Sequence, residues 1–276
     1  MKIHRLLPYV LALQAFAAPQ IEQLATDFGF TEGPALSPSG TVYFTDIPRN
    51  HIHIWTDADG VQLFREDTGG ANGLLFDADG NLYMCEGRNR QLTMLSPAGE
   101  YRVLAKEYEA KALNSPNDLW IDPQGGIYFT DPRYGKKDNL EQDGEHVYYL
   151  SANGDLKLVA NDLVRPNGIV GTPDGKTLYV ADHGAGITYR YVITTPGILG
   201  ERTVFAEQGS DGMALDEAEN VYLTDAGVDV YRPDGTLLQN IELPERPANV
   251  TVIAENPVTL FVTARKSVYK VTLDQE

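Results

Sequence analysis

Apolar and polar residues alternate in short runs along the whole of this 276-residue chain, and turns rich in glycine and aspartate separate the runs. Pairs of runs are joined by the tips SPSG at 37–40, DADG at 77–80, DPQG at 122–125 and TPDG at 172–175. Alternation over about four to eight residues on both sides of such a tip is typical of a β-hairpin. The pattern predicts an all-β protein, and no linker or change in composition interrupts it.

One frame recurs six times: a polar residue opens a strand, a turn follows, and the returning strand ends in a second polar position. The opening residues are Glu32, Asn72, Asn117, Asn167, Asp211 and Asn249, so the repeat length is 38–50 residues. A repeat of about this length, built from strands, is typical of the blades of a β-propeller. We therefore predict a six-bladed β-propeller.

The two ends of the chain complement each other. The last blade finishes with SVYKVTL and no fourth strand follows it, whereas IEQLATD at 21–27 belongs to no blade of its own. The latter segment resembles the outer strands VQLFRED, YRVLAKE and LKLVAND. We expect it to complete the last blade, because this closes the ring and removes an exposed sheet edge.

The residues that close each frame form a second polar column, which only Ala264 interrupts. Its other members are Asp46, Glu86, Asp131, Asp182 and Asp225. Each follows its partner in the first column by 14 or 15 residues. Because a strand and its antiparallel neighbour return the chain to the same end of the sheet, both columns should crowd one mouth of the central channel.

An excess of acidic residues, 39 against 22 basic ones, gives a formal net charge of −17. This charge argues against nucleic acid and anionic membranes as partners. Cys85 is the only cysteine, so no intrachain disulfide can form. Its apolar surroundings, LYMCE, predict a buried packing residue.

The first eighteen residues resemble a secretory signal peptide. A basic start precedes an apolar run at 6–16, and AFA at the end of this run fits a small-x-small cleavage motif. We therefore divide the chain into a signal peptide at 1–18, cleaved near Ala17/Ala18, and a single domain at 19–276. This interpretation predicts a secreted or periplasmic protein without stable membrane insertion. The alternative is a buried N-terminal helix.

The first column offers only oxygen ligands, from carboxylates and amides. Ca²⁺ accepts about six to eight oxygens in loose geometry, which suits side chains that converge from different blades. Zinc is disfavoured, because neither column contains His or Cys. Glu32 and Asp211 would balance a divalent charge. The alternative is that the first column caps the strand starts and hydrogen-bonds backbone along the channel.

Six short strings occur in order along the chain: FTEGP, LNSPNDL, IYFTDP, RPNGI, LYVAD and SDGMALD. Together they resemble the gluconolactonase branch of the SMP/regucalcin-type lactonase family across residues 30–265. The resemblance implies a six-bladed propeller with a divalent cation, usually calcium, at its channel mouth; we place zinc and manganese behind calcium. It places the metal ligands on Glu32, Asn117, Asn167 and Asp211, and it implies that Asp211 is the catalytic acid/base. Members hydrolyse sugar lactones, and relatives cleave organophosphates.

One departure from the family pattern concerns substrate binding. Some members place an arginine two residues before the first asparagine, and this chain has Ser115 there. We therefore predict that Asn114 or Ser115 contacts the substrate together with Asn117.

Further polar residues are expected to support the site from outside. Asn72, Asp131 and Asp182 are predicted to orient the ligating amides. His183 is a candidate proton shuttle, with a solvent-exposed loop histidine as the alternative. The segment PRYGKKDNLEQDGEH at 132–146 is longer and more polar than its counterparts, and either projects over the channel mouth or is a surface insertion.

The sequence thus predicts a secreted, calcium-dependent hydrolase that opens sugar lactones, with the cation as Lewis acid and Asp211 as acid/base. Its predicted partner is a small-molecule lactone. Two alternatives stay open. One is an organophosphate or aryl ester hydrolase that uses the same site, and the other is a non-catalytic propeller in which the cation stabilises a binding platform.

Overall fold

The computed structural model describes residues 18–273, and the 26 elements in this range are all β-strands. Within the same range no helix is long and apolar enough to cross a membrane. All of the predicted signal peptide except Ala18 lies outside the described residues. The division of the chain at residue 18 therefore stays a prediction.

The first half of the chain forms an isolated strand, two four-stranded blades, a small hairpin and a third blade. β1 spans Gln20–Ala25. Blade 1 contains β2 (Thr31–Leu36), β3 (Val42–Asp46), β4 (His51–Thr56) and β5 (Gly60–Arg65). Blade 2 contains β6 (Ala71–Phe76), β7 (Leu82–Glu86), β8 (Gln91–Leu95) and β9 (Tyr101–Ala105). The hairpin of β10 (Glu107–Tyr108) and β11 (Lys111–Ala112) leads into blade 3, with β12 (Leu119–Ile121), β13 (Ile127–Asp131), β14 (His146–Leu150) and β15 (Leu156–Ala160).

The second half forms two more four-stranded blades and three strands of the last one. Blade 4 contains β16 (Pro166–Gly171), β17 (Thr177–Asp182), β18 (Ile187–Thr195) and β19 (Ile198–Ala206). Blade 5 contains β20 (Met213–Leu215), β21 (Val221–Thr224), β22 (Val228–Tyr231) and β23 (Leu237–Ile241). The final three strands are β24 (Asn249–Glu255), β25 (Val258–Ala264) and β26 (Ser267–Leu273).

The N-terminal strand closes the ring. β1 pairs antiparallel with β26, with Gln20 opposite Thr272, so that blade 6 has the strand order β1-β26-β25-β24. Thr31 at the start of blade 1 also bonds to blade 6, through its N to Arg265 O (2.7 Å) and its Oγ1 to Ser267 O (3.0 Å). The predicted six-bladed propeller, completed by an N-terminal strand, is confirmed.

The opening strand of each blade lines the central channel. β2, β6, β12, β16, β20 and β24 contact one another in this cyclic order, and β24 returns to β2. The first polar column lies at or next to the start of these strands. The fold therefore arranges the column around the channel.

Apolar layers between neighbouring blades form the core. Phe261 of blade 6 packs on Phe44 and Trp55 of blade 1, with ring centroids 5.6 Å and 5.5 Å apart. β25 is buried at every position because neighbouring blades cover both of its faces, whereas the outermost strand β5 is mostly exposed. The period-two alternation in the sequence weakens in the inner strands for the same reason.

Cys85 is a packing residue, as predicted, and is fully buried. Burial raises the pKa of its thiol well above the ordinary value, and the negative charges of Asp118 and Asp131 add to the shift. A thiol held in its neutral form is a poor nucleophile. Cys85 is therefore not expected to act as a nucleophile.

Candidate functional site at the channel mouth

A pocket of about 460 Å³ opens at one mouth of the central channel. First-column residues from four different blades line it: Glu32, Asn72, Asn117 and Asp211. The remaining lining residues are Phe30, Ile47, Gly70, Gly87, Arg88, Ser115, Pro116, Arg133 and Tyr134. Residues that are far apart in the sequence therefore meet in one pocket.

Asn167 is tied to this pocket through its amide group. Its Nδ2 donates hydrogen bonds to Asp211 Oδ1 (2.6 Å) and to Tyr134 Oη (2.7 Å). Both amide hydrogens are thereby used, so Oδ1 is the atom left to accept a hydrogen bond or to bind a cation. The structure thus gathers the four predicted ligands, Glu32, Asn117, Asn167 and Asp211, at one place. Their role as metal ligands stays a prediction.

The backbone that follows Glu32 holds its carboxylate in place. Glu32 Oε2 accepts a hydrogen bond from Gly33 N (2.9 Å). Gly33 has a φ of +46°, and a Cβ at this position would lie 1.9 Å from Asn72 O. Only glycine fits here, because the backbone of blade 2 is in direct contact. Gly33 therefore has two roles: its N–H positions the Glu32 carboxylate, and its lack of a side chain lets blade 1 pack closely against blade 2.

Glu32 and Asp211 share a poorly solvated, negative environment. Burial, and then the charge of Asp211, raises the pKa of Glu32 well above its ordinary value. Burial also raises the pKa of Asp211, although the hydrogen bond from Asn167 opposes the shift. Among residues 18–273, neither carboxylate forms an ion pair with Lys, Arg or His. The pair therefore has no cationic side chain within ion-pair distance.

A third carboxyl group, Asp118, lies further along the channel. Asn117 lines the mouth pocket, and Asp118 lines a second cavity of about 140 Å³ between the inner strands. Burial raises the pKa of Asp118 to about 7, even though its Oδ1 accepts a hydrogen bond from Leu119 N (2.9 Å). Its charge in turn raises the pKa of Glu32. The sequence reading missed this residue, although it directly follows Asn117.

The chemistry of the donor set suits a hard divalent cation. Glu32 and Asp211 supply two carboxylates without a cationic partner, and Asn117 and Asn167 supply amide oxygens. Calcium in proteins is bound by such oxygens, with few geometric demands. In the described part of the chain, no group of three or more His, Cys, Asp or Glu side chains could hold a metal ion. The predicted set differs from such a group because it combines two acids with two amides. Its residues fit a divalent cation.

The second-column acids Asp131 and Asp182 accept hydrogen bonds from backbone N–H groups. Asp131 accepts hydrogen bonds from the two backbone N–H groups at 114–115, both at 2.7 Å. Asp182 does the same with the backbone at 164–165, at 2.8 Å and 2.9 Å. With their oxygens engaged in this way, these acids fix the segments that lead into the inner strands of blades 3 and 4. Any influence of these two acids on Asn117 and Asn167 would therefore act through the backbone, and their role in supporting metal ligands stays a prediction.

The predicted substrate contacts divide into two groups. Ser115 and Asn117 line the pocket, and Asn114 does not. Asn114 is fully buried, and its Nδ2 donates to Asp131 O (3.1 Å) and Gly144 O (2.7 Å). The amide of Asn114 thus ties the entry of blade 3 to the long loop, and its predicted contact with substrate stays a prediction.

The long segment at 132–146 reaches the pocket. Its residues Arg133 and Tyr134 are part of the lining. Glu145, only 7% exposed, holds the base of the segment by accepting a hydrogen bond from Arg133 N (3.1 Å) and by lying 3.4 Å from Arg165 Nε. Of the two expectations for this segment, projection over the mouth is the one observed.

Two residues expected to support the site lie close to it. Asn72 lines the pocket itself instead of standing behind it. His183 is half-buried, with its ring 6.5 Å from that of Tyr134, and its electrostatic interaction with Asp211 opposes the rise that burial causes in the pKa of that carboxyl group. His183 is thus near enough to influence Asp211. Its role as a proton shuttle stays a prediction.

The sequence reading also missed pocket residues that follow the second column. Ile47 comes directly after Asp46, Arg88 comes two residues after Glu86, and Tyr134 comes three residues after Asp131. This offset is a signal that was present in the sequence. It identifies pocket residues only when the second column is known to end each strand at the pocket.

Comparison with known proteins agrees with this geometry. The chain matches the family described as SMP-30/Gluconolactonase/LRE-like region over residues 30–266. It is 30% identical to the gluconolactonase of Zymomonas mobilis over 98% of this chain and 85% of that protein. The structure of a gluconolactonase from Xanthomonas campestris is 28% identical, with a TM-score of 0.86 over 94% of this chain and 91% of that one. A calcium-binding protein, regucalcin, from Agrobacterium tumefaciens shares the fold at 22% identity, with a TM-score of 0.77 over 95% and 96% of the two chains. The resemblance read from the six strings is confirmed, and the chain belongs to the SMP-30/Gluconolactonase/LRE-like family.

Proposed function

We propose that this protein is a lactonase that hydrolyses sugar lactones in the mouth pocket and depends on a divalent cation. The observation that carries the proposal is the convergence of two unneutralised carboxylates and two amides from four blades. Membership of the family and the gluconolactonase relatives support the choice of lactones as substrates. The pocket volume of about 460 Å³ is sufficient for a single sugar ring.

Glu32, Asn117, Asn167 and Asp211 would hold the cation. When bound, a divalent cation at such a site acts as a Lewis acid that polarises a carbonyl oxygen and stabilises the negative charge that develops on it. Calcium is the ion that we favour for an oxygen-only set, since zinc sites commonly recruit imidazole or thiolate and calcium accepts many oxygens in loose geometry.

Asp211 is the residue proposed to move the proton. Its carboxylate takes a proton from water as the water oxygen bonds to the lactone carbonyl carbon. The ring C–O bond then breaks, and the released oxygen receives the proton and becomes a hydroxyl group. Burial raises the pKa of Asp211, which makes it a stronger base than an exposed aspartate. Asn167 donates a hydrogen bond to Oδ1, so the two carboxylate oxygens of Asp211 are not equivalent.

Chelation tests this proposal directly. The purified protein would be treated with EDTA, desalted, and assayed on D-glucono-1,5-lactone against spontaneous hydrolysis, before and after addition of Ca²⁺, Mn²⁺ or Zn²⁺. We expect EDTA to abolish turnover and Ca²⁺ to restore it. Turnover that survives complete removal of the metal would contradict the cation dependence. A parallel assay on a phosphotriester would reveal the organophosphate hydrolase alternative, and no turnover of either substrate would favour a binding platform.

We further propose that the protein is exported, to the periplasm or beyond. The support is the sequence alone: a basic start, an apolar run at 6–16 and a small-residue motif before Ala18. Cell fractionation with N-terminal sequencing of the purified protein tests this. A cytoplasmic protein that retains Met1–Lys2 would contradict it.

A further inference from the structure

We propose that the substrates of this pocket carry an anionic group away from the lactone carbonyl, and that Arg88 is the main residue that binds it. Arg133 assists by adding positive charge to the same wall. The inference rests on the proposed lactonase function and specifies its substrate class: lactones of acidic sugars, with a carboxylate, sulfonate or phosphate. Neutral sugar lactones would be poorer substrates.

Arg88 brings a positive charge into the pocket that no acid neutralises. Its side chain is exposed and lines the pocket. Across residues 18–273 it takes part in no ion pair, and its guanidinium makes one long hydrogen bond, from Nη2 to Ile47 O at 3.5 Å. Its five donors remain largely available to a ligand.

Hydrogen bonds hold the backbone around Arg88, although its guanidinium group is available to a ligand. Its backbone N donates to Gly69 O (3.0 Å), and the preceding Gly87 N donates to Gly70 O (3.1 Å). Gly70 has a φ of +67°, and a Cβ there would lie 2.7 Å from Arg88 Cβ. The backbone at 69–70 therefore packs directly against the root of the arginine. A side chain anchored in this way presents its guanidinium to the pocket at a lower entropic cost than a freely mobile one.

Arg133 supports the same wall from the long loop. Its guanidinium bonds to uncharged groups, with Nη1 donating to Asn114 O (2.8 Å) and Nε to Lys136 O (3.0 Å). These bonds fix its position and leave its charge formally intact. Burial raises the pKa of Asp131 to about 7, and the nearby charge of Arg133 opposes this shift. We therefore assign direct contact to Arg88 and a longer-range contribution to Arg133.

Ser115 lies between the two arginines. Its Oγ donates to Gly87 O (3.1 Å), next to Arg88, and Arg133 holds the carbonyl of the residue before it. The pocket lining thus contains the two arginines, Arg88 and Arg133, in addition to the acids Glu32 and Asp211. Guanidinium groups bind carboxylates, sulfonates and phosphates through paired hydrogen bonds, which a neutral polyol cannot match.

Matched substrate pairs test the inference. The first pair is D-glucono-1,5-lactone and its 6-phosphate, and the second is D-glucono-1,4-lactone and D-glucaro-1,4-lactone, which carries a carboxylate. We expect the wild-type protein to favour the anionic member of at least one pair by tenfold or more in kcat/KM, and the pair that responds identifies the anion. The preference should fall as salt rises from 0.05 to 0.5 M, because exposed charges are screened. Equal or lower kcat/KM for both anionic lactones would overturn the inference.

A substitution connects the preference to one residue. In Arg88→Gln we expect the anionic-to-neutral ratio of kcat/KM to fall at least tenfold, mainly through KM, because the contact is remote from the reacting carbonyl. Arg102→Gln is the matched control: Arg102 is an exposed arginine of blade 2 paired with Glu100, and its substitution should leave the ratio unchanged. An equal loss on both lactones of a pair in Arg88→Gln would contradict the assignment. Hydrolysis of neutral lactones without a preference would sink this inference alone, whereas no hydrolysis of any lactone would sink the proposed function with it.

Discussion

Asn167 donates a hydrogen bond of 2.6 Å from its amide to Asp211 Oδ1, across the boundary between blade 4 and blade 5. The two residues are 44 positions apart and belong to the same column of the repeat. The bond fixes which atom of each side chain is free: Oδ1 of the amide and Oδ2 of the carboxylate. Asn167 thereby orients the buried carboxylate of Asp211, whose pKa is raised. The amide oxygen of Asn167 can itself bind a cation.

Replacing Asp211 by asparagine tests its role as acid/base. The change keeps the shape of the side chain but removes the proton acceptor, so we expect kcat/KM for a sugar lactone to fall about a thousandfold. Circular dichroism and thermal unfolding would establish that the variant is folded. The control is Asp79→Asn, in an exposed turn between β6 and β7, which should keep full activity. A loss of less than about tenfold in Asp211→Asn would remove this residue from the chemical step.

Gly33 is expected to be intolerant of any side chain. In Gly33→Ala the new Cβ would meet Asn72 O at 1.9 Å, and the φ of +46° adds backbone strain. We expect a loss of about 3 kcal/mol or more in the free energy of unfolding, measured by denaturant titration.

Gly40→Ala is the matched control for this change. Gly40 also has a positive φ, +85°, but a Cβ there would have no neighbour within 4 Å. Its cost should be limited to the backbone, about 1 kcal/mol. Equal losses of unfolding free energy in Gly33→Ala and Gly40→Ala would mean that the contact between blades 1 and 2 is not tight.

The metal-free protein should become less stable as pH rises through 7. Burial raises the pKa of Asp118 to about 7, and it also raises the pKa values of Glu32 and Asp211. Between pH about 4 and 7 the folded protein therefore holds protons that the unfolded chain has released, and this stabilisation is lost as pH increases. We expect the Tm of the chelated protein to be higher at pH 6 than at pH 8. In Asp118→Asn the difference should shrink.

Calcium should have the opposite pH dependence. Glu32 and Asp211 would bind it as carboxylates, and burial raises the pKa values of both, so protons compete with the ion at lower pH and are released when it binds. The rise in Tm on adding Ca²⁺ should therefore be larger at pH 8 than at pH 6. Calorimetric titration in two buffers with different ionisation enthalpies would count the released protons. An affinity for Ca²⁺ that does not change with pH would show that the carboxyl groups with raised pKa values are not the ligands.

Closure of the ring by β1 should be essential for a stable monomer. A chain that begins at Pro19 keeps all of β1, whereas a chain that begins at Phe28 lacks it and leaves β26 as an exposed sheet edge. We expect the shorter chain to have a Tm lower by more than about 5 °C and to self-associate in size-exclusion chromatography. The chain that begins at Pro19 should unfold cooperatively as a monomer. If both behave alike, the pairing of β1 with β26 contributes little.

Local patterns predicted the strands and hairpins, because alternation and turn chemistry act over a few residues. Glu32 and Asp211 could be assigned to one end of the channel because a repeat places equivalent positions at equivalent places in each blade. Asn114 and Asp131 could not be interpreted in this way. Their polar atoms are taken up by backbone groups of neighbouring segments, and such partners have no fixed distance in sequence.

The sequence by itself determined the number of blades, the closing strand and the ring of carboxylate and amide side chains, because each follows from a periodic pattern that local geometry must obey. Only the tertiary structure decided what surrounds that ring. Arg88, Tyr134 and Asp118 are not members of either polar column, and they lie near the ring because blades pack side by side. Burial and mutual charge then set the protonation of the carboxyls, and both depend on neighbours that the chain brings together only on folding.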